Sequence, residues 1–482
     1  MISQKDLLKI SDYLWEIPKS FREDMQVPAR IYASEKMLQD SFKDRTLSQL
    51  LNVATLPGIQ KYALVMPDAH EGYASPIGGV AAIKVEGGVI SPGMQGYDIN
   101  CGIRLLKSEY LEKEIKLSLD KLATEIQKEV PSGLGRGRKI KLGLEEMNKI
   151  LEGGAQQIVK GGYGEKEDVE NCEGGGRLEW ADYLAVSERA KNRGRDQVGT
   201  LGSGNHFLEF QKVEAILNEE VAKSFGLFKD QVVIMIHTGS RGLGHQVCTD
   251  YLREFIPLME QKYKIKVPDR EFACVPFNSK EGQRAFGASG AAANFAWANR
   301  QMITYCIRKA FKSVLGEKSA SLTLLYDVAH NIIKKEKYNI DNQEIEVAVH
   351  RKGATRAFPP GNPEIPEKYR LVGQPVLIPG SMGTASWVLS GKGSGEESFF
   401  TSCHGAGRRM SRKQATRIIT GQEVIKQLSQ KDIIVKCWSL RGIAEEAPIA
   451  YKDVDSVVNV VERAGLSGKV ARLVPLAVIK GE

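Results

Sequence analysis

The chain has no apolar run approaching the roughly 20 residues that a membrane span requires, and its opening MISQKDLLKI lacks the apolar core of a secretory leader. A cytoplasmic location is therefore expected. Its seven cysteines (Cys101, Cys172, Cys248, Cys274, Cys306, Cys403 and Cys437) are an odd number, and no two form a C-x-x-C pair. That argues against a disulfide framework and against a zinc ribbon. The G-x-x-x-x-G-K-[ST] loop, the H-E-x-x-H helix and the G-x-G-x-x-G fingerprint are all missing, which removes a P-loop site, a zincin protease and a Rossmann dinucleotide site. A bound nucleotide must then be held by another device. Neither charge sign dominates: Lys plus Arg number 67 against 59 for Asp plus Glu, a net +8 that favours a polyanionic partner only weakly.

At 482 residues and 42% hydrophobic, the chain can bury a large core. With no internal repeat and no clear linker, residues 1–482 are expected to form one domain. Helical spacing is seen over Ser34–Ala54, Leu111–Val130, Leu144–Lys160, Cys248–Tyr263 and the Ala-rich Gly287–Leu315. Tyr62–Met66, Val80–Ile90 and Ile103–Ser108 are β-rich, and VVIMIHTGS, LTLLYDVAHN, IEVAVHRKGATR and PVLIPGSMGTAS are short apolar strands that run into polar, glycine-containing turns. The expected class is α/β, a mixed α+β chain with central sheets, strand-end loops forming a metal cleft, and helices around them. Two loops stand apart: basic Ser132–Gly143 is a candidate RNA contact or a solvated charge run, and acidic, glycine-rich Gly161–Gly176 has no assigned role.

Histidine is also scarce, and its placement is informative. All seven (His70, His206, His237, His245, His330, His350 and His404) sit among Gly, Asn, Asp or Arg at the ends of apolar runs. One such histidine is more often a hydrogen-bonded structural residue than a ligand. The whole complement in this setting favours a metal or catalytic site, since strand-end loops are where rigid scaffolds present chemistry. In YDINCGIR, Asp98 and Cys101 are three residues apart, so one turn can aim a carboxylate and a thiolate at one ion. A buried inert cysteine beside a capping Asp is the alternative for that pair alone. Imidazoles, a thiolate and a carboxylate suit a transition metal better than Ca²⁺ or Mg²⁺. The glycine turns Pro379–Ser386 and His404–Gly407 are candidate anion nests.

Taken in order, PDAHEG, YDINCG, GSGNHFLE, HTGSRGLG, DVAHN, HRKGATR, PGSMGTAS, CHGAGR and AEEAPIAYKDVD resemble the signature blocks of the RtcB family of RNA-splicing ligases, over nearly the full chain. The resemblance implies a ligase that joins RNA ends bearing a 2′,3′-cyclic phosphate or 3′-phosphate to 5′-hydroxyl ends in tRNA splicing and RNA repair. GTP and two Mn²⁺ ions are the implied cofactors, RNA the partner, and the small activating protein archease a further one. The family's metal ligands match Asp98, Cys101, His206, His237 and His330, with Cys101 the natural bridge, and its guanylylated histidine matches His404. Its nucleotide contacts match Asn205, Glu209, His330, Asn331, Pro379, Gly380, Ser381, Met382, Ser386, His404, Gly405, Ala406, Gly407 and Lys480. The chief rival is a metal-dependent RNA phosphodiesterase or end-processing hydrolase, because the same ligands can activate water. An RNA-binding module with a structural metal is a second.

Overall fold

Two large sheets organise the computed structural model, which describes residues 2–133, 137–138, 141–317 and 322–481. The first runs Leu8–Ser11, Leu14–Ile17, Ala29–Tyr32, Ile59–His70, Ile77–Lys84, Gln343–Lys352, Asn331–Ile340 across its seven strands. The second runs Thr323–Ala329, Gly102–Leu111, Gln231–Thr238, Phe207–Ile216, Ser467–Lys480, Ser386–Gly391, Pro375–Ile378. Almost all neighbours are antiparallel; Ile434–Cys437 adds to the C-terminal strand in parallel. The mixed α/β class expected from the sequence is the observed one.

The strand Gln231–Thr238 shows why such runs become central. All eight of its residues are buried, so it needs cover on both faces. Val232, Ile234 and Ile236 face a core shared with helices, while Val233 and Met235 face a second apolar cluster on the opposite side. Against the first face lies the helix Lys280–Leu315, whose N-terminus is capped by the Ser279 hydroxyl accepting the Gly282 amide at 3.0 Å. Its small residues, Gly287 to Ala293, are buried, and a Cβ on Gly290 would come within 3.1 Å of the Ala181 backbone.

Leu144–Lys160 is helical on both sides of a kink at Gly154, whose φ of +55° and ψ of −140° lie outside the helical region. Ser34–Ala54 divides into Glu35–Ser41 and Thr46–Val53, because the Asp44 carboxylate accepts the Thr46 amide at 2.8 Å and starts a new helix. Leu111–Val130 likewise divides, with a 3₁₀ turn at Lys116–Ser118 between Glu112–Ile115 and Leu119–Glu129. Cys248–Tyr263 begins earlier, at Arg241, and ends in a wider π turn over Leu258–Lys262. The acidic glycine loop acquires a role: Glu173 is buried, accepts the Ala329 amide at 3.0 Å and pairs with Lys334 at 2.6 Å. It therefore braces the strand that leads to His330. Of the basic loop, residues 134–136 and 139–140 lie outside the described residues, whereas Gly133 donates its amide to Gly202 at 2.9 Å.

Candidate active site

Sheet register brings the expected ligands to one edge. In the second sheet Gly102 pairs with both Ala329 and Thr238, His237 with Phe207, and Phe207 with Lys480. Cys101 and His206 thus immediately precede two strands, His237 and Lys480 lie at the ends of two others, and His330 follows a fifth. Residues more than 200 positions apart in sequence become neighbours along a single line of Cα pairs.

Their donor atoms converge. The Cys101 Sγ lies 3.4 Å from His206 Nε2 and 3.3 Å from His237 Nε2, and His237 Nε2 lies 3.3 Å from His330 Nε2. Asp98 Oδ2 is 2.8 Å from His206 Nε2. Two groups able to hold a cation result, Cys101–His237–His330 and Asp98–Cys101–His206, and Cys101 belongs to both. All three rings turn Nε2 inward; their Nδ1 atoms are buried without a hydrogen-bond partner, so ring orientation rests on packing, with edge-on contacts between His206 and His237 and between His237 and His330.

The donor set fits a metal on chemical grounds. Burial holds His237 and His330 well below the ordinary imidazole value, so both are neutral. Burial, then the Asp98 carboxylate, pushes the Cys101 thiol well above its usual range. Inward-facing lone pairs beside a carboxylate repel one another unless a cation lies between them, and a cation is what converts such a thiol into a thiolate. One sulfur, three nitrogens and one carboxylate match a first-row transition metal.

Arg300, in the middle of the long helix, aligns three of the segments that carry the donor groups. Its fully buried guanidinium donates to the carbonyls of Asn100 and Thr238, both at 2.8 Å, to Asn100 Oδ1 at 3.0 Å and to the Asp327 carboxylate at 2.8–3.1 Å. Those residues adjoin Cys101, His237 and the strand leading to His330. Asn299, beside it, donates to Gly239 O at 3.1 Å. A Cβ on Gly239 would lie 2.4 Å from Asp98 Oδ1, so glycine there lets the carboxylate reach the cluster.

His404 enters from the other side of the fold, just after the short strand Thr401–Cys403 that pairs with Ala354–Arg356. Its ring meets His330 edge-on, with centroids 5.0 Å apart. Asp68 sits behind it, fully buried: Oδ2 accepts the His404 and Gly405 amides at 3.0 and 3.2 Å and lies 2.5 Å from His404 Nδ1, off the line of a straight hydrogen bond. Burial opposes ionisation of Asp68, but His404 outweighs it and leaves the carboxyl below its ordinary value. A carboxylate at Nδ1 favours the proton there and leaves the Nε2 lone pair free. Gly407 makes this approach possible, since at φ +72° its Cβ would sit 2.1 Å from Asp68 O.

Around this centre lie the residues expected to contact a nucleotide. Glu209 is buried, and burial lifts its carboxyl to about 8 against the opposing pull of Gln211 and Lys480. Gln211 joins Glu209 to the Ser386 hydroxyl, which accepts the Gly380 amide at 3.1 Å. Lys480 is buried and donates to His206 O at 3.1 Å; burial lowers its ammonium to about 8. Ser381 donates its amide to Thr384 Oγ1 at 2.7 Å, closing the turn, and Met382 packs into a small apolar cluster with Val424 and Leu428. Pro379 lies against Gly405, and Ala406 is buried with Gly407. Asn205 is half-buried in the turn before His206. Asn331 is already engaged, donating to Asp98 O at 3.0 Å and accepting the Gly353 amide at 2.8 Å.

Besides His404, three histidines stay out of the donor cluster. His350 is buried with Nδ1 on Ala348 O, His70 holds Asp68 O at 3.0 Å, and His245 stacks on Tyr97. The run after His404 carries Arg408, Arg409 and Arg412, a basic group that could hold phosphates; of these Arg408 and Arg412 both pair with buried Glu446, at 2.9 and 2.8 Å. Asp68, Arg300, Gln211 and Glu446 were not singled out from sequence. Asp68 and Glu446 carried a signal there, through the PDAHEG and AEEAPIAYKDVD blocks.

A family model described as tRNA-splicing ligase RtcB matches residues 49–481. The chain is 54% identical over 478 residues to a tRNA-splicing ligase RtcB from Thermococcus kodakarensis, covering 98% of this chain and 99% of that protein. It is 52% identical over 479 residues to one from Nanoarchaeum equitans, and 52% identical over 478 residues to one from Archaeoglobus fulgidus, with the same coverage in both.

Proposed function

Because the chain belongs to the RtcB family of tRNA-splicing ligases, we propose that it is an RNA ligase that consumes GTP and joins a 2′,3′-cyclic phosphate or 3′-phosphate end to a 5′-hydroxyl end. The observation that carries this reading is the placement of His404, backed by Asp68 and facing His330 of a bipartite donor cluster. The setting is the cytoplasm, in tRNA splicing and repair; no helix among the described residues is long and apolar enough to cross a membrane.

Asp98, Cys101 and His206 would hold one Mn²⁺, and Cys101, His237 and His330 a second. When bound, the ions supply Lewis acidity toward phosphoryl oxygens. His404, its Nδ1 held by Asp68, offers Nε2 to the α-phosphorus of GTP; the N–P bond forms as the bond to the leaving pyrophosphate breaks. After water opens a cyclic end, an oxygen of the RNA 3′-phosphate takes the guanylate from His404. The RNA 5′-hydroxyl then attacks that 3′-phosphate, and GMP leaves as the phosphodiester forms. Guanine N1 and its 2-amino group, by donating to Glu209, would offset the burial that lifts its carboxyl, so that it accepts both, a donor pair adenine lacks. Asn205, Asn331, the turn Pro379–Met382, Ser386 and Gly405–Gly407 complete the nucleotide pocket in this reading.

Incubation with α-labelled GTP and Mn²⁺, followed by denaturing electrophoresis, tests it. A covalent GMP adduct is expected; an RNA hydrolase with the same ligands forms none.

Lys480→Ala is expected to lower the labelling rate about ten-fold at limiting GTP with metal content unchanged, the cost of one charge-assisted hydrogen bond. Labelling at the parental rate would make Lys480 a strand terminus and nothing more. Arg300→Lys should weaken Mn²⁺ binding by about 10–100-fold, as loss of an outer partner to metal ligands does, because an ammonium lacks the planar fork of donors that the guanidinium spreads over two carbonyls, the Asn100 side chain and both Asp327 oxygens. Titration calorimetry on protein with a parental circular dichroism spectrum measures that.

A further inference from the structure

Beside the donor cluster lie three aromatic rings with no part in the chemistry above. We infer that Tyr73, Tyr97 and His245 form a stacking ledge for one unpaired nucleobase of the RNA being joined, an inference that rests on the ligase reading. The Tyr97 ring stacks on His245, centroids 4.8 Å apart and planes 27° apart, and meets Tyr73 edge-on at 5.2 Å. Tyr73 is 40% exposed and His245 is exposed as well, so the ledge faces solvent.

The ledge is built rather than incidental. Tyr73 is presented by a turn whose next residue, buried Ala74, has φ +62°, a conformation alanine rarely adopts. Glu271 accepts the Ala74 amide at 3.1 Å and holds the turn. Lys352, almost wholly buried, donates from one ammonium to the carbonyls of Tyr73, Ser75 and Gly93. It thereby ties the turn bearing Tyr73 to the segment that leads into Tyr97. Gly96, at φ +91°, passes over the Lys352 stem, where a Cβ would lie 3.6 Å from it. Rings fixed in this way lose little entropy on stacking.

Position and chemistry select the occupant. Tyr97 directly precedes Asp98, and the Asp98 charge reaches His245. Burial holds His245 below its ordinary value. Single-stranded RNA ends offer flat, splayed bases, and an aromatic face accepts any of the four. An enzyme that joins ends of differing sequence needs that tolerance.

The test uses the full chain and RNA pairs carrying either normal nucleotides or a single abasic nucleotide at successive positions flanking the junction. His245→Leu is expected to raise the RNA KM about ten-fold, the lower range of one base–aromatic stack, while His245→Phe stays near the parent. On the strand abasic at the stacked position, the parent KM should already be raised and His245→Leu should add nothing. Tyr73→Ala should follow the same pattern. Labelling of His404, which needs no RNA, is the readout that damage to the donor cluster would move. An unchanged KM, a penalty that persists on every abasic strand, or a fall in labelling overturns the ledge. If the parent forms no GMP adduct, the ligase reading fails on its own; fluorescence anisotropy of the same normal and abasic strands then still decides the ledge.

Discussion

His404→Ala is expected to abolish both the covalent GMP adduct and RNA joining, with metal content and fold retained. The ring belongs to neither donor group, and its side chain is 14% exposed, so its removal leaves Cys101, His237 and His330 in place. What disappears is the one imidazole whose Nδ1 is backed by a buried carboxylate and whose other edge faces the cluster. The parental adduct should be acid-labile and alkali-stable, as an N–P bond is. Asp68→Asn separates the nucleophile from its support. An amide in place of the carboxylate can present its NH₂ to Nδ1 and favour the wrong tautomer, which in a comparable carboxylate–histidine pair costs about 10⁴-fold. Labelling in Asp68→Asn should therefore be slowed by orders of magnitude but not eliminated. A label that survives in His404→Ala would assign the adduct to another residue.

Asp68 also shows where sequence reading stops. Periodicity located the strands and most helices because burial on one or two faces writes itself into local spacing: Gln231–Thr238 is apolar throughout since both its faces are covered. The residues of the two donor groups were legible because each sits at or next to the place where an apolar strand meets a polar turn, a local event. Helix breaks were not: one carboxylate, Asp44, starts a separate helix at Thr46 through a hydrogen bond that spacing does not encode. Nor were the groups that act through others. Asp68 lies 336 residues from His404, and Arg300 is one more polar residue in an alanine-rich helix until the fold sets it against Asn100, Thr238 and Asp327. Arg408 and Arg412 mark the converse case, since a basic cluster in sequence resembles a phosphate site until Glu446 is found between the two side chains.

Cys101→Ser is expected to remove bound metal and guanylylation together. Cys101 is common to both donor groups, so its loss deprives each of a ligand at once. The substitution preserves shape closely, yet a serine hydroxyl stays protonated where a cation-bound thiol ionises, and the cluster then lacks the negative charge that offsets two divalent ions. Replacing an outer partner of a metal ligand already costs about 10–100-fold in affinity; losing a shared ligand should exceed that at both positions. Folding should change little, because His237 and His330 are neutral without metal and Arg300 still holds the Asn100 and Thr238 carbonyls. Metal analysis after gel filtration, run beside GTP labelling, separates two roles for the sulfur. A ligand predicts that metal and label fall in parallel and that excess Mn²⁺ partly restores the label. A nucleophile predicts full metal occupancy with a block at a later step, and that result would overturn the assignment of Cys101 as the bridge.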